Sequence, residues 1–460
     1  MKRLLTLLSL AALTLILFAC SGTSSSSSSG TSGTPQGGVF VTGEDAPLPS
    51  VYAFNITFNK VTLNNSSSTV TALSTATTVD FVRLLGVRSM LSFNSVAPGT
   101  YTSATFTLSN PVIYYLNTGT TPPSVAQVPN ASLTSPTVTV SFPAGAPLVV
   151  GANGLVGLHL DFDLRKSLEM SGGQVTGVVN PTMFVTAVQA TDTNFGTITD
   201  LVGGLVGPPT VNGNAGSFIL QGPYGFQLTI DVNSSTSFNP GWTLANMTAP
   251  AIVAVEGAVQ SDGSILASAV EVISTNQAFI SGRILSVSPG PVVTMFVGEE
   301  LPALGSIPVD SVQTIDLTQV PSNAYAICFI DNPVTAGLFG PSNLVVGQRI
   351  LIAGSYSGST FTPAWVSLRL QGVVGDLVAN SVNVTVAPNQ GSFGLQNNLL
   401  LGYLLGGPLT VNTGNLTNFV NINGLSGLST AGQTNLVVYG LILDQGGTPV
   451  MYAGRVRILP

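Results

Sequence analysis

The chain has 460 residues, of which 7% are charged, with 12 Lys and Arg against 19 Asp and Glu, one histidine and two cysteines. That length holds several domains of ordinary size, and a net charge of −7 with so few cations leaves no basic patch for the phosphate contacts that nucleic acid requires. A single histidine with two cysteines is also too few ligands for the usual mixed zinc site.

Lys2 and Arg3 open a segment, Leu4 to Phe18, that is apolar except for Thr6, Ser9 and Thr14. It is too short to span a membrane comfortably and has the layout of a secretory signal, predicted over 1–19. Leu17, Phe18, Ala19 and Cys20 resemble a bacterial lipobox. That resemblance implies cleavage before Cys20 and acyl chains on its new N-terminus, each buried CH₂ holding the bilayer by about 0.8 kcal/mol. The alternative is an ordinary signal peptide cut nearby, leaving a spare thiol. Ser21 stands where an aspartate would resemble an inner-membrane retention signal, which implies sorting to the outer membrane, on its periplasmic side or at the cell surface. Residues 20–36, rich in Ser, Gly and Thr, predict a flexible spacer. The chain after residue 19 keeps ten cations and nineteen anions, a charge near −9, and its low charge suits an exported domain.

Strands follow almost without interruption. "VYAFNITFNKVTL" alternates from Phe54 to Leu63, "YTSATFTLSN" alternates imperfectly, and "SPTVTVSF" sets Val138, Val140 and Phe142 against Thr and Ser. A period of two buries one set and exposes the other. Only "TTVDFVRLLGVRSML" and parts of "NNLLLGYLLGG" have any helical look, the first carrying one or two turns. The fold class expected is all-β, with a β-sandwich over 37–167. Within it Asp45 to Pro47, Val61 to Leu63, Pro98 to Tyr101 and Asp161 to Asp163 resemble the bacterial domain of unknown function 4382. That resemblance implies a β-sandwich of exported lipoproteins and brings no established activity.

The remainder repeats. Segments 251–273, 348–368 and 434–459 each hold an apolar strand ending at a glycine (Gly257, Gly354, Gly440), a tight glycine-containing tip, and a strand with an alanine (Ala269, Ala364, Ala453). Opening strands carry Gly196, Gly282 and Gly372, spaced by 86 and 90 residues. These markers predict three small barrel-like or curled-sheet units at 174–275, 276–367 and 368–460. The openers and closers resemble domain of unknown function 5666, another exported bacterial module.

No catalytic signature stands out: there is no Gly-x-Ser-x-Gly elbow and no glycine-rich nucleotide fingerprint. In "GLHLDFDLRKS" a strand would put His159, Asp161 and Asp163 on one face and the leucines and Phe162 on the other. Asp161 and Asp163 can offer oxygens to calcium, which wants six to eight of them; the plainer reading is a polar face with Asp163 paired to Arg165 or Lys166. No other cofactor is expected. Cys328, between Ile327 and Phe329, reads as a buried strand residue with no disulfide partner if Cys20 is acylated. Trp365 reads as core and Trp242 as a loop residue. The function expected is a membrane-anchored structural, display or ligand-binding lipoprotein, not an enzyme. Its partners are the lipid bilayer through Cys20 and an envelope protein or glycan. The alternative is an exported hydrolase with an unrecognised carboxylate site.

Overall fold

Alternating β-branched and aromatic residues with Thr and Ser favour pleated strands, and the computed structural model of the protein is nearly all β. The structure describes residues 36–458 except 47, 49, 85–87, 118, 121–123, 173, 193–194, 224–226, 303–304, 328–338, 385–389, 397–406 and 431–435. The signal segment, Cys20, the spacer, Cys328 and the "NNLLLGYLLGG" stretch lie outside the described residues, except for its last residue, Gly407. Residues 35–460 belong to one compact unit.

The first body is a sandwich. One sheet runs in the order Met183–Val188, Leu155–Asp163, Gly37–Ala46, Ser89–Val96; the other is built on Thr137–Ser141, Ser103–Asn117, Val51–Asn64 and Thr69–Leu73. Gly37–Ala46 lies parallel to Leu155–Asp163, so the first described strand is locked beside one that follows more than a hundred residues later. Inward positions of both sheets supply an aromatic core: the Phe54 and Phe162 rings lie 5.2 Å apart, and Phe81 and Phe162 lie 4.9 Å apart. The helical look near residue 80 resolves into a single 3₁₀ turn, Phe81–Leu84, that drives Phe81 and Leu84 inward. Strands Gln174–Val179 and Met183–Val188, which the sequence reading gives to the first repeat, pair with strands of the sandwich instead. Ladder pairing between distant segments sets that boundary, and the local pattern of residues does not contain it.

Three six-stranded sheets follow, over Thr197–Ser274, Ala278–Arg369 and Gln371–Ile458. Numbering the long strands of each from one to five, every sheet has the order 3-2-1-4-5. In the first, strand three (Gln227–Val232) also pairs in parallel with strand five (Ile265–Ser274). In the third, Leu409–Thr413 pairs likewise with Pro449–Ile458. These pairings close five-stranded Greek-key barrels. Among the described residues the second sheet keeps the order without the closing pair. In all three a short extra strand, Ser237–Phe238, Tyr325–Ile327 or Asn418–Val420, lies parallel to strand five.

The repeat has a physical basis at its glycines. A bulge falls next to Gly257, Gly354 and Gly440, where strand four bends over strand five. A Cβ on these residues would stand 2.3, 2.1 and 2.0 Å from the carbonyl oxygens of Leu266, Thr362 and Tyr452, closer than any side chain tolerates. The other markers need correction. The glycines equivalent in the ladders are Gly203, Gly282 and Gly375, opposite Val253, Ile350 and Leu436, each of which lies four residues before the strand-four glycine. Gly196 and Gly372 are not at that position. The alanines are not equivalent either: Ala453 lies opposite Gly440, whereas Ala267 and Pro363 hold that place in the other barrels.

The second barrel touches every other body. Ile252 and Ala254 of the first barrel share a core with its Phe279 and Leu351. Leu441 and Leu443 of the third barrel enter its core, and Phe296 packs on Tyr52 and Tyr114 of the sandwich, with ring centroids 5.7 and 5.5 Å away.

Candidate functional site

A buried charge is costly unless it is paired and hydrogen-bonded, so the place where a chain this poor in charge buries several of them is informative. The second barrel contributes Arg283, Glu299, Arg349 and Arg369 to its contacts with the sandwich and the first barrel. Glu299, on strand two, accepts from Arg83 of the sandwich's 3₁₀ turn and lies 3.5 Å from Arg349 on strand four. Arg369, at the end of strand five, is 1% exposed. It meets Asp200 and lies 3.5 Å from Glu271, both in the first barrel. Arg283 stacks over the Tyr52 ring at 5.6 Å, and Asn55 donates to Asp310 at 2.7 Å.

These groups divide by environment. Burial alone would raise the Glu299 carboxyl, but Arg83 and Arg349 outweigh it and hold Glu299 below its ordinary value. Burial pushes Arg369 down to about 10, which leaves it charged at neutral pH. Asp80 differs. It is 5% exposed, and its Oδ1 accepts the backbone N–H groups of Phe54 at 2.9 Å and Val82 at 3.1 Å. Among the described residues its Oδ2 has neither a hydrogen bond nor an ion pair. Burial pushes the Asp80 carboxyl up to about 6, Arg83 and the two N–H groups offsetting only part of that and Asp310 adding to it.

The pKa of Asp80 is about 3.8 when exposed and about 6 when folded, so the folded state holds the proton more tightly. The advantage is complete below pH 3.8 and is lost as pH rises through 6. By linkage the loss is about 3 kcal/mol. Asp80→Asn keeps an oxygen acceptor and removes the charge. The variant is expected to be more stable than the parent at pH 8 by up to about 3 kcal/mol, with the gap closing toward pH 4. Urea unfolding at the two pH values reads it, and a gap that does not change with pH would refute the assignment.

Asp80, Glu299, Arg83 and Arg349 line one end of a cavity of about 450 Å³ at the junction of the sandwich, the first barrel and the second. Val79, Leu84, Leu91, Phe93, Leu201 and Leu228 form its apolar wall. The tip Asp262–Gly263, between strands four and five of the first barrel, forms its rim. Hydrogen bonds from Ser264 hold Asp262 below the ordinary carboxylate range.

The residues singled out from sequence sit elsewhere. His159 is half-buried, its Nδ1 3.2 Å from Thr42 Oγ1 and its Nε2 3.4 Å from an Arg88 nitrogen. Asp161 lies opposite Phe184 of the neighbouring strand. Asp163 caps the short helix Leu164–Ser167: its Oδ1 accepts from the Lys166 backbone N–H at 3.1 Å and its Oδ2 lies 3.0 Å from Lys166 Nζ. Among the described residues no three His, Cys, Asp or Glu side chains gather to hold a metal ion. Trp365 is half-buried between the cores of the first and second barrels, and Trp242 is half-buried against the first barrel's core. Sequence reasoning missed Asp80, Arg83, Glu299, Arg349 and Arg369. A signal existed: each sits in or beside an apolar stretch ("VDFVRLL", "FVGEEL", "RILIAG", "SLRL") of a chain with few charges anywhere.

Residues 36–181 match the model of a family described as Domain of unknown function (DUF4382), which bears out the resemblance read from Asp45 to Asp163 for the N-terminal part of the chain. No curated protein matches. Among solved structures, "drosophila Unr CSD456" is 7% identical and covers 57% of this chain and 98% of its own, with a TM-score of 0.14. A deletion mutant of the single-stranded DNA binding protein from Thermus aquaticus is 10% identical and covers 40% and 93%, with a TM-score of 0.15. Likenesses of this size carry no argument.

Proposed function

We propose that the chain is an exported cell-envelope lipoprotein, held in the outer membrane by acylated Cys20, that binds or displays a ligand and does no chemistry of its own. The observation that carries the binding role is the cavity where three bodies meet, of ligand size and with its polar end fixed by buried ion pairs. The three barrels are read as modules of the kind of domain of unknown function 5666. Barrels of this connectivity serve oligonucleotides and oligosaccharides elsewhere, but connectivity does not set function. Four of the ten cations after residue 19, Arg83, Arg283, Arg349 and Arg369, are engaged at the junction, which disfavours nucleic acid. An envelope protein or glycan remains the macromolecular partner proposed. Mass spectrometry of the mature N-terminus tests the anchor: acyl mass on Cys20 is expected, and an unmodified N-terminus at any other residue would sink it.

One observation favours the hydrolase reading: Asp80 and Glu299 line the same cavity with proton affinities pushed in opposite directions, as in acid–base pairs. Against it, Glu299 is held by two guanidiniums and is a poor base. Turnover of a glycan or peptide by the purified protein, abolished in Asp80→Asn, would establish that reading and overturn the non-catalytic one.

A further inference from the structure

The junction cavity places one carboxylate in an unusual position. Asp80 is buried, fixed by two backbone N–H groups through Oδ1, and lines the cavity with Oδ2 unpaired among the described residues. Arg83 and the two N–H groups offset only part of the cost of burying that carboxylate, and an amide in its place would keep the same backbone hydrogen bonds. The remaining charges around the cavity limit what could answer it. Arg83 and Arg349 already flank Glu299, and Asp200 is met by Arg369, which does not line the cavity. Asp262 stands at the rim, held ionised by Ser264. Four carboxylates line the cavity against two guanidiniums. An anion entering the cavity would pass Asp262 and find Arg83 and Arg349 already held by Glu299, beside Asp80. A cation would supply the direct ion pair that Asp80 Oδ2 lacks among the described residues, while the wall from Val79 to Leu228 requires an apolar skeleton.

We propose that this cavity binds a small amphipathic amine, its apolar skeleton against Leu84, Leu91, Phe93, Leu201 and Leu228 and its ammonium group on Asp80. The proposal rests on the binding reading of the chain and deepens it. The ammonium donates to Asp80 Oδ2 in a site shielded from water, where a charge-assisted hydrogen bond is about twice as strong as a neutral one. The rim carboxylate of Asp262 attracts the cation as it enters and makes no contact with it once bound.

Three probes with one skeleton separate charge from shape: 1-adamantylamine, 1-adamantanol and adamantane-1-carboxylate, titrated calorimetrically into the purified full-length protein at pH 7.5. The amine is expected to bind at least tenfold more tightly than the alcohol, and the carboxylate more weakly than either. Asp80→Asn, which removes the buried charge and is expected to fold, should bring the amine to within twofold of the alcohol and leave the alcohol unchanged. Ser89→Trp, on the cavity wall, should abolish binding of all three. Three outcomes overturn the proposal: the carboxylate binding best, affinities independent of charge, or amine binding unchanged in Asp80→Asn. Absence of binding by every probe also overturns it; acyl mass on Cys20 would then leave the envelope-anchored display reading standing by itself.

Discussion

Arg369→Met is expected to cost the fold about 3–5 kcal/mol, because removing one partner of a buried ion pair leaves the other charge uncompensated. Here two carboxylates lose the same arginine. Arg369 joins Asp200 and Glu271 across the contact between the first and second barrels, and both Arg369 and Glu271 are buried. Methionine restores the volume of the arginine stem but neither hydrogen bonds nor charge. Urea unfolding followed by tryptophan fluorescence reads the loss, since Trp242 packs on the first barrel and Trp365 lies between the first and second. Adding Glu271→Met and Asp200→Asn to Arg369→Met should recover most of it. Asparagine is chosen at 200 because that residue has φ of 50°, a backbone conformation that asparagine tolerates and branched residues resist. A single variant within about 1 kcal/mol of the parent, the range of a surface pair, would show that the triad does not weld the barrels.

Gly440→Ala is expected to destabilise the third barrel by about 3 kcal/mol, at the upper end of ordinary overpacking. The added Cβ would lie 2.0 Å from the Tyr452 carbonyl oxygen and 2.8 Å from its carbon. The obstruction is the backbone of the paired strand, not the end of a flexible side chain, so the hairpin must separate at its bulge for the methyl group to enter. Gly354→Ala and Gly257→Ala should act in the same way in their own barrels, at 2.1 and 2.3 Å. Gly407→Ala, where a Cβ meets nothing within 4 Å, is the control and should change stability by less than about 0.5 kcal/mol. Equal unfolding midpoints for Gly440→Ala and Gly407→Ala would remove the close approach as the reason these glycines recur.

Much of the architecture was legible because it is local. Period-two alternation from Phe54 to Leu63 gave the central strand of the sandwich, and tips such as Asp262–Gly263 gave the hairpin of strands four and five in each sheet. The recurring Gly257, Gly354 and Gly440 were visible because a bulge that admits only glycine leaves its mark on one residue. The opening glycines were misaligned because equivalence there depends on the pairing register: Gly203, not Gly196, faces strand four at the position of Gly282. No single-strand pattern carries that register.

The candidate site was the least legible part. Asp161 and Asp163 drew notice because alternate residues share a strand face, yet Asp163 answers Lys166, three residues on. The groups that meet at the junction are far apart along the chain: Arg83 and Glu299 are separated by 216 residues, and Glu271 and Arg369 by 98. The sequence by itself determined an all-β chain, its hairpin tips and the family likeness of its first body, since strand pattern, turn chemistry and close backbone approach act over a few residues. Only the tertiary structure decided that the second barrel is the hub, that 174–188 belong with the sandwich, and that Asp80 faces a cavity. The reason is physical: what a charge costs, and what it can bind, depends on which distant sheets exclude water from it.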